Sequence, residues 1–244
     1  MEKIVNRLLI ITAAAAAVFA ALAFVFRNAE HDNAAEGDES FSVCDYIKLN
    51  LVKLNAEIIP YSGDEIRVVY KNNLPLIIEH GDNSITVSED EKFVISLFPG
   101  SQSEFGVSVY LPERSYREIS VVTGGGNVKV GRVDSKLLNV VTESGDISFN
   151  NAVSQFNIST TSGFVSLDIE AVMRNCSILS RKGNVDVFVS EKASVAVDFE
   201  TQTGACVPEI TGGRASGNGV YGINGGAKTI YAAVQEGTLT IKKR

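Results

Sequence analysis

The sequence predicts an all-β protein, a solenoid of about 20-residue repeats preceded by one transmembrane helix. Three observations predict it. An uncharged run of 19 residues lies near the amino end, a Thr/Ser-x-x-Gly spacing recurs through the second half of the chain, and apolar residues flank each of those glycines at intervals of two. Composition is compatible: of 244 residues 45% are hydrophobic and 21% charged, and 21 Gly with 5 Pro match neither a collagen-like nor a disordered chain. A formal net charge of -7 without any Lys/Arg cluster excludes nucleic acid as a partner, because phosphate binding needs a concentrated basic face.

Taken in chain order, the first element is the apolar run Leu8 to Phe26, long enough to span a bilayer. Lys3 and Arg7 precede it, and past Arg27 the chain turns acidic at Glu30, Asp32, Glu36, Asp38 and Glu39. The positive flank places the amino end in the cytoplasm and everything after the run outside, in a single-pass membrane protein. A cleaved signal peptide is the alternative, since Ala21-Leu22-Ala23 offers a small-residue cleavage site and the alanines from Ala13 to Ala17 dilute the hydrophobicity. Both readings export the rest. Cys44 lies too far beyond the run for a lipoprotein anchor. The expected organisation is 1–27 flank and anchor, 28–40 acidic flexible tether, and 41–244 solenoid domain.

From Phe41 to Glu118 the pattern is β-like but irregular. Ile47-Leu49-Leu51, Ile66-Val68-Tyr70, Ile85-Val87 and Val107-Val109-Leu111 alternate, and the turn clusters Ser62-Gly63-Asp64 and Gly81-Asp82-Asn83 punctuate them. This stretch is expected to be the widened, capped start of the same sheet stack. Outside the anchor no strong helix pattern is present.

The repeat proper follows. Thr123/Gly126, Thr142/Gly145, Thr160/Gly163, Ser180/Gly183 and Thr201/Gly204 place successive glycines 19, 18, 20 and 21 residues apart, and a looser sixth copy ends at Gly237. Four columns aligned on these glycines hold 24 positions, of which 23 are hydrophobic, against about 11 at the chain-wide frequency. A spacing of two on both sides of a Gly reads as strand, turn, strand with one buried face, the Gly being free to take a positive φ. One copy cannot bury its face alone, whereas stacked copies can. A β-sandwich of hairpins is the alternative, but hairpins do not require a match between copies about 20 residues apart.

Val109-Tyr110-Leu111-Pro112, a short charged turn, Ile119 and then the T-x-S-G-D-I pattern, best at Thr142 to Ile147, resemble the putative adhesin family of bacterial envelope proteins, a domain of unknown function. The likeness runs from about Ile47 to the terminal Glu236-Gly237-Thr238-Leu239-Thr240-Ile241. It implies a membrane-anchored, single-stranded β-helix-like solenoid, adhesin-like, with regulation in an envelope-stress signalling system as the alternative role. The motif is structural and transfers no catalytic residue. The usual Ser-Gly-Asp turn is replaced at Gly125-Gly126-Asn127, Ser162-Gly163-Phe164 and Lys182-Gly183-Asn184, which argues against one repeated ligand site.

Enzyme signals are poor. A polysaccharide-active β-helix would line carboxylates along a groove, but Asp146 and Asp186 belong to copies separated by one carrying Phe164 and Ser166. His31 falls in the tether and His80 in a turn, and Ser144 lacks a G-x-S-x-G frame. No metal or cofactor is expected, because the glycines of Thr211 to Gly226 accompany neither a phosphate-loop Lys nor a regular calcium-binding Asp. Three cysteines cannot all pair within one chain, and Cys176 and Cys206 stand in inward columns, which suits core packing, with a Cys176–Cys206 disulfide as the alternative.

The sequence marks one candidate binding segment. Pro208 cannot donate to a ladder, so stacking should stop there and resume near Thr229. The Gly-rich stretch between is read as a cap over the open end or as a loop presenting Arg214 and Tyr221 to an envelope protein or a cell-wall or surface glycan.

Overall fold

The computed structural model describes residues 35–72, 76–89, 105–152, 155–172, 174–208, 219–226 and 228–244. The apolar run 8–26 lies outside them. Among the described residues no helix is long and apolar enough to cross a membrane, and every regular element is a strand.

After an opening strand β1 (Ala35–Phe41), the chain makes a first rung from β2 (Tyr46–Leu51) and β3 (Asn55–Tyr61). Two single strands follow, β4 (Ile66–Asn72) and β5 (Ile77–His80), then a second rung, β6 (Ser84–Ser88) and β7 (Gly106–Pro112). Rung three is β8 (Ser115–Thr123) and β9 (Val128–Val130); rung four is β10 (Asp134–Thr142) and β11 (Ile147–Ala152). Rung five is β12 (Gln155–Ser162) and β13 (Val165–Ile169); rung six is β14 (Cys176–Lys182) and β15 (Val185–Val189). Rung seven is β16 (Val195–Thr201) and β17 (Ala205–Pro208). A single strand β18 (Gly219–Ile223) precedes rung eight, β19 (Lys228–Glu236) and β20 (Thr238–Lys243).

Each rung gives one strand to either of two ten-stranded sheets. At about 4.8 Å per strand, ten strands make a stack roughly 43 Å long. All 24 column positions of the repeat are buried, Pro208 included. They face one another across a single core, where Phe149 of β11 meets Phe156 of β12 edge to face at 6.2 Å. Each fully buried Val or Ile contributes about 1.5–3 kcal/mol. Neighbouring rungs pair in parallel, for example Val121 with Val140 and Val140 with Ile158, which excludes the hairpin sandwich. Cys44, Cys176 and Cys206 are buried and form no disulfide, and burial pushes the thiols of Cys176 and Cys206 up to about 11.

The glycine column has a different cause from the one expected. Gly163, Gly183 and Gly237 do take positive φ, at 140°, 135° and 138°. Gly126, Gly145 and Gly204 do not. What all six share is contact: a methyl group on any of them would collide with the carbonyl oxygen of the residue stacked on it in the adjacent rung. Those carbonyls run Leu54, Gly126, Gly145, Gly163, Gly183, Gly237, with Gly204 packed last.

That order shows a departure from a simple stack. Rung eight does not resume beyond rung seven; it lies between rungs six and seven, so β19 pairs with both β14 and β16, and β20 with both β15 and β17. The same exchange occurs at the other end, where rung one lies inside rung two. Edge chemistry explains the carboxyl-terminal exchange. Pro208 in β17 and the antiparallel partner β18 suit rung seven to an end, whereas β19 and β20 hold no Pro and are laddered on both sides.

Residues 35–40 of the expected tether are strand instead. Ala35 to Phe41 form β1, which pairs with β4 along seven residues and closes the amino-terminal edge of one sheet.

Candidate functional site

Of the two residues marked by the sequence, one is described. Arg214 lies outside the described residues. Tyr221 sits on β18, half-buried, with its ring stacked on Phe199 at 5.5 Å and 19°. It extends the core at the end of the stack, so what it presents to solvent is limited.

The other sequence candidates are engaged in the scaffold. Asp146 Oδ1 accepts the Phe164 N–H at 2.7 Å, continuing a series in which Asn55 accepts from Asn127 and Asn127 from Asp146, each at 2.9 Å. Asn184 likewise accepts from Thr238 at 2.9 Å. The Asp or Asn after the Gly is therefore a rung-to-rung clasp. Asp186 pairs with Lys242 at 3.3 Å, Ser144 donates to the Gly124 carbonyl at 3.4 Å, and His80 ends β5 beside Phe41. Among the described residues no three His, Cys, Asp or Glu side chains gather as metal ligands would.

An open concavity lies instead at the amino-terminal end of the stack. In β4 Ile66 and Val68 are buried, so Arg67, Val69 and Lys71 stand on the outer face; in β7 Val107 and Val109 are buried, so Gly106, Ser108 and Tyr110 do. Phe41 packs on the core, which places Ser40, Asp38 and Glu36 outward on β1. The registers align these nine residues in three rows: Glu36, Lys71, Gly106; Asp38, Val69, Ser108; Ser40, Arg67, Tyr110. The first two rows, together with Gly37 and Tyr70, line a trough of about 540 Å³, and the third row lies beside it.

Its charges are paired. Lys71 Nζ lies 3.6 Å from Glu36, and Arg67 Nε donates to Asp38 Oδ1 at 2.6 Å while its Nη2 bonds the second oxygen. The Arg67 hydrogen bonds hold the Asp38 carboxyl below its usual range. The guanidinium carbon stands 5.6 Å from the centre of the Tyr110 ring, and Tyr61 meets that ring edge-on at 5.9 Å. Burial, then the Glu39 carboxylate, raises the Tyr70 phenol. Sequence reasoning missed this site because Glu36 and Asp38 read as solvated tether. The only local sign was the alternation of Glu36, Asp38 and Ser40 ahead of Phe41.

A search of curated proteins returns no match. Among solved structures, a putative cell adhesion protein from Clostridium sporogenes is 18% identical, with 86% of this chain and 100% of that chain covered and a TM-score of 0.55. A putative adhesin from Bacteroides fragilis is 12% identical over 86% and 97% of the two chains, with a TM-score of 0.38. A putative lipid binding protein from Parabacteroides distasonis is 12% identical over 87% and 97%, at 0.36. Only the first is close enough in shape to bear on the fold, which it shares. The family profile described as Toastrack DUF4097 matches twice, over residues 44–169 and 133–242, the overlap reflecting the internal repeat. Stacked Gly turns, inward apolar columns and these two matches together place the chain in the Toastrack DUF4097 family.

Proposed function

We propose that this protein is a membrane-tethered, extracytoplasmic binding module of the bacterial cell envelope, adhesin-like and without catalytic activity. The observation that carries the reading is the trough on β1, β4 and β7. It is a preformed concavity on rigid strands, and its charged side chains already hold one another in place. The apolar run 8–26 with Lys3 and Arg7 ahead of it supports the tether, and the adhesion name of the C. sporogenes neighbour is in keeping with a binding role.

The alternative role, regulation of an envelope-stress system through a membrane protein in the same cell, is favoured by one finding. Because β1 begins at Ala35, only residues 27–34 separate the apolar run from the first strand. Eight extended residues reach about 29 Å at most. That span holds the β1 end near the bilayer.

Protease treatment of intact protoplasts, combined with in-cell crosslinking and mass spectrometry, tests both. The expected result is digestion of the domain while a cytoplasmic control survives, together with a crosslink to a wall polymer. A crosslink to a membrane protein selects the regulator. Survival of the domain until lysis overturns the extracytoplasmic reading.

A further inference from the structure

We infer that the trough takes a neutral glycan chain, a ligand assignment that rests on the binding-module reading. The argument begins with charge. Each acid lining the trough is matched by its own base, Glu36 with Lys71 inside the lining and Asp38 with Arg67 in the adjoining row, so neither carboxylate stands unpaired for an ion to answer. An anion or cation would have to compete with a partner already in contact. A hydroxyl group need not, since it donates to a carboxylate oxygen while accepting from the ammonium or guanidinium beside it, leaving the pair intact. The rows thus present donors and acceptors side by side at both ends of the concavity, the pattern that suits a polyhydroxylated ligand.

Shape points the same way. Gly106 and Ser108 keep the floor low, and a methyl group on Gly106 would press on the Asn55 carbonyl at 3.2 Å. Val69 and Tyr70 supply apolar atoms to the lining, and Tyr110 stands beside it in the next row, its ring against Arg67 and Tyr61. Apolar atoms between two polar walls match a sugar ring, whose C–H faces are apolar and whose rim is hydroxylated. A volume of about 540 Å³ falls within the usual range for small-ligand sites, and the open sides let a chain continue past it.

The test uses the full chain in nanodiscs with three uncharged probes, tetra-N-acetylchitotetraose, maltotetraose and mannotetraose. Saturation-transfer NMR detects binding, and hydrogen exchange with mass spectrometry locates it. At least one probe should bind and protect peptides spanning 35–41, 66–72 and 105–112. Ser108→Phe fills the trough and should weaken binding at least about tenfold. Ser166→Phe, the same change on the outer face of β13, should leave binding intact, and both variants should unfold at the wild-type temperature. Binding by none of the probes, protection elsewhere, or equal affinity of the two variants overturns the assignment. If crosslinking in cells still captures a wall polymer with Ser108→Phe, the trough assignment fails while the binding-module reading stands.

Discussion

A glycine in this repeat is required by its neighbour more than by its own backbone. Gly145 lacks a positive φ, yet a Cβ there would enter the space of the Gly126 carbonyl in the rung below and crowd Thr142 Oγ1 at 3.0 Å. Rungs stacked by backbone ladders cannot separate locally without breaking several hydrogen bonds, so the clash has no cheap relief. Gly145→Ala is expected to lower stability by roughly 2–4 kcal/mol. Gly222→Ala serves as the control, since a Cβ there meets nothing within 4 Å, and should stay within about 0.5 kcal/mol of wild type. Equilibrium urea unfolding of both variants checks this. The Thr three residues before the Gly has a matching local role in rungs three and seven, where Thr123 and Thr201 accept the Gly126 and Gly204 N–H at 3.1 and 2.8 Å. The Thr142 and Ser180 hydroxyls in the same column have no partner among the described residues, and nothing in the structure explains them.

At the scale of the element, the turns form a ridge in which each backbone N–H is satisfied by the rung beneath: Gly125 by Val52, Ser144 by Gly124, Ser162 by Glu143. Rung one has no such turn below it among the described residues. Its turn donors at Val52, Lys53 and Leu54 are instead gathered by Glu89 Oε2 at 2.8, 3.0 and 3.4 Å. One carboxylate thus serves all three donors with charge-assisted hydrogen bonds. Glu89→Gln retains the shape but loses the charge, and should cost about 1–2 kcal/mol. Glu89→Ala leaves the donors unmet and should cost more, about 2–3 kcal/mol, with faster amide exchange confined to residues 52–54. Equal stability of the glutamine variant and wild type would show that charge has no part in this cap.

For the whole molecule, the exchange of rungs seven and eight changes what truncation does. In a sequential stack, removing residues 227–244 would shorten the solenoid by its last rung. Here it removes β19 and β20 from between β14/β15 and β16/β17, baring strand edges on both sides of the gap. The truncated chain is therefore expected to lose exchange protection in β14 and β15 as well as in β16 and β17, and to aggregate on purification. Hydrogen exchange and size-exclusion chromatography decide it. Unaltered protection in rung six would mean that β16 and β17 had closed onto β14 and β15.

The chain by itself determined the all-β class, the strand-turn-strand unit and the core. These rest on alternation and on a period of about 20 residues, signals that are local and repeated, so that all 24 column positions point inward as their spacing requires. The aligned parallel pairs follow from the same columns. Rung order was decided only in three dimensions, because Val197 of β16 and Ile230 of β19 offer β14 equivalent apolar partners, and the pairing chosen depends on which strand tolerates an edge. The trough was equally illegible: its rows join Glu36, Lys71 and Gly106 from three distant segments, and an acidic stretch just after a long apolar run has no apolar periodicity to reveal it as a strand. Periodicity records which face of a strand is buried. Which strands become neighbours is settled by tertiary packing, where near-identical repeats compete for the same places.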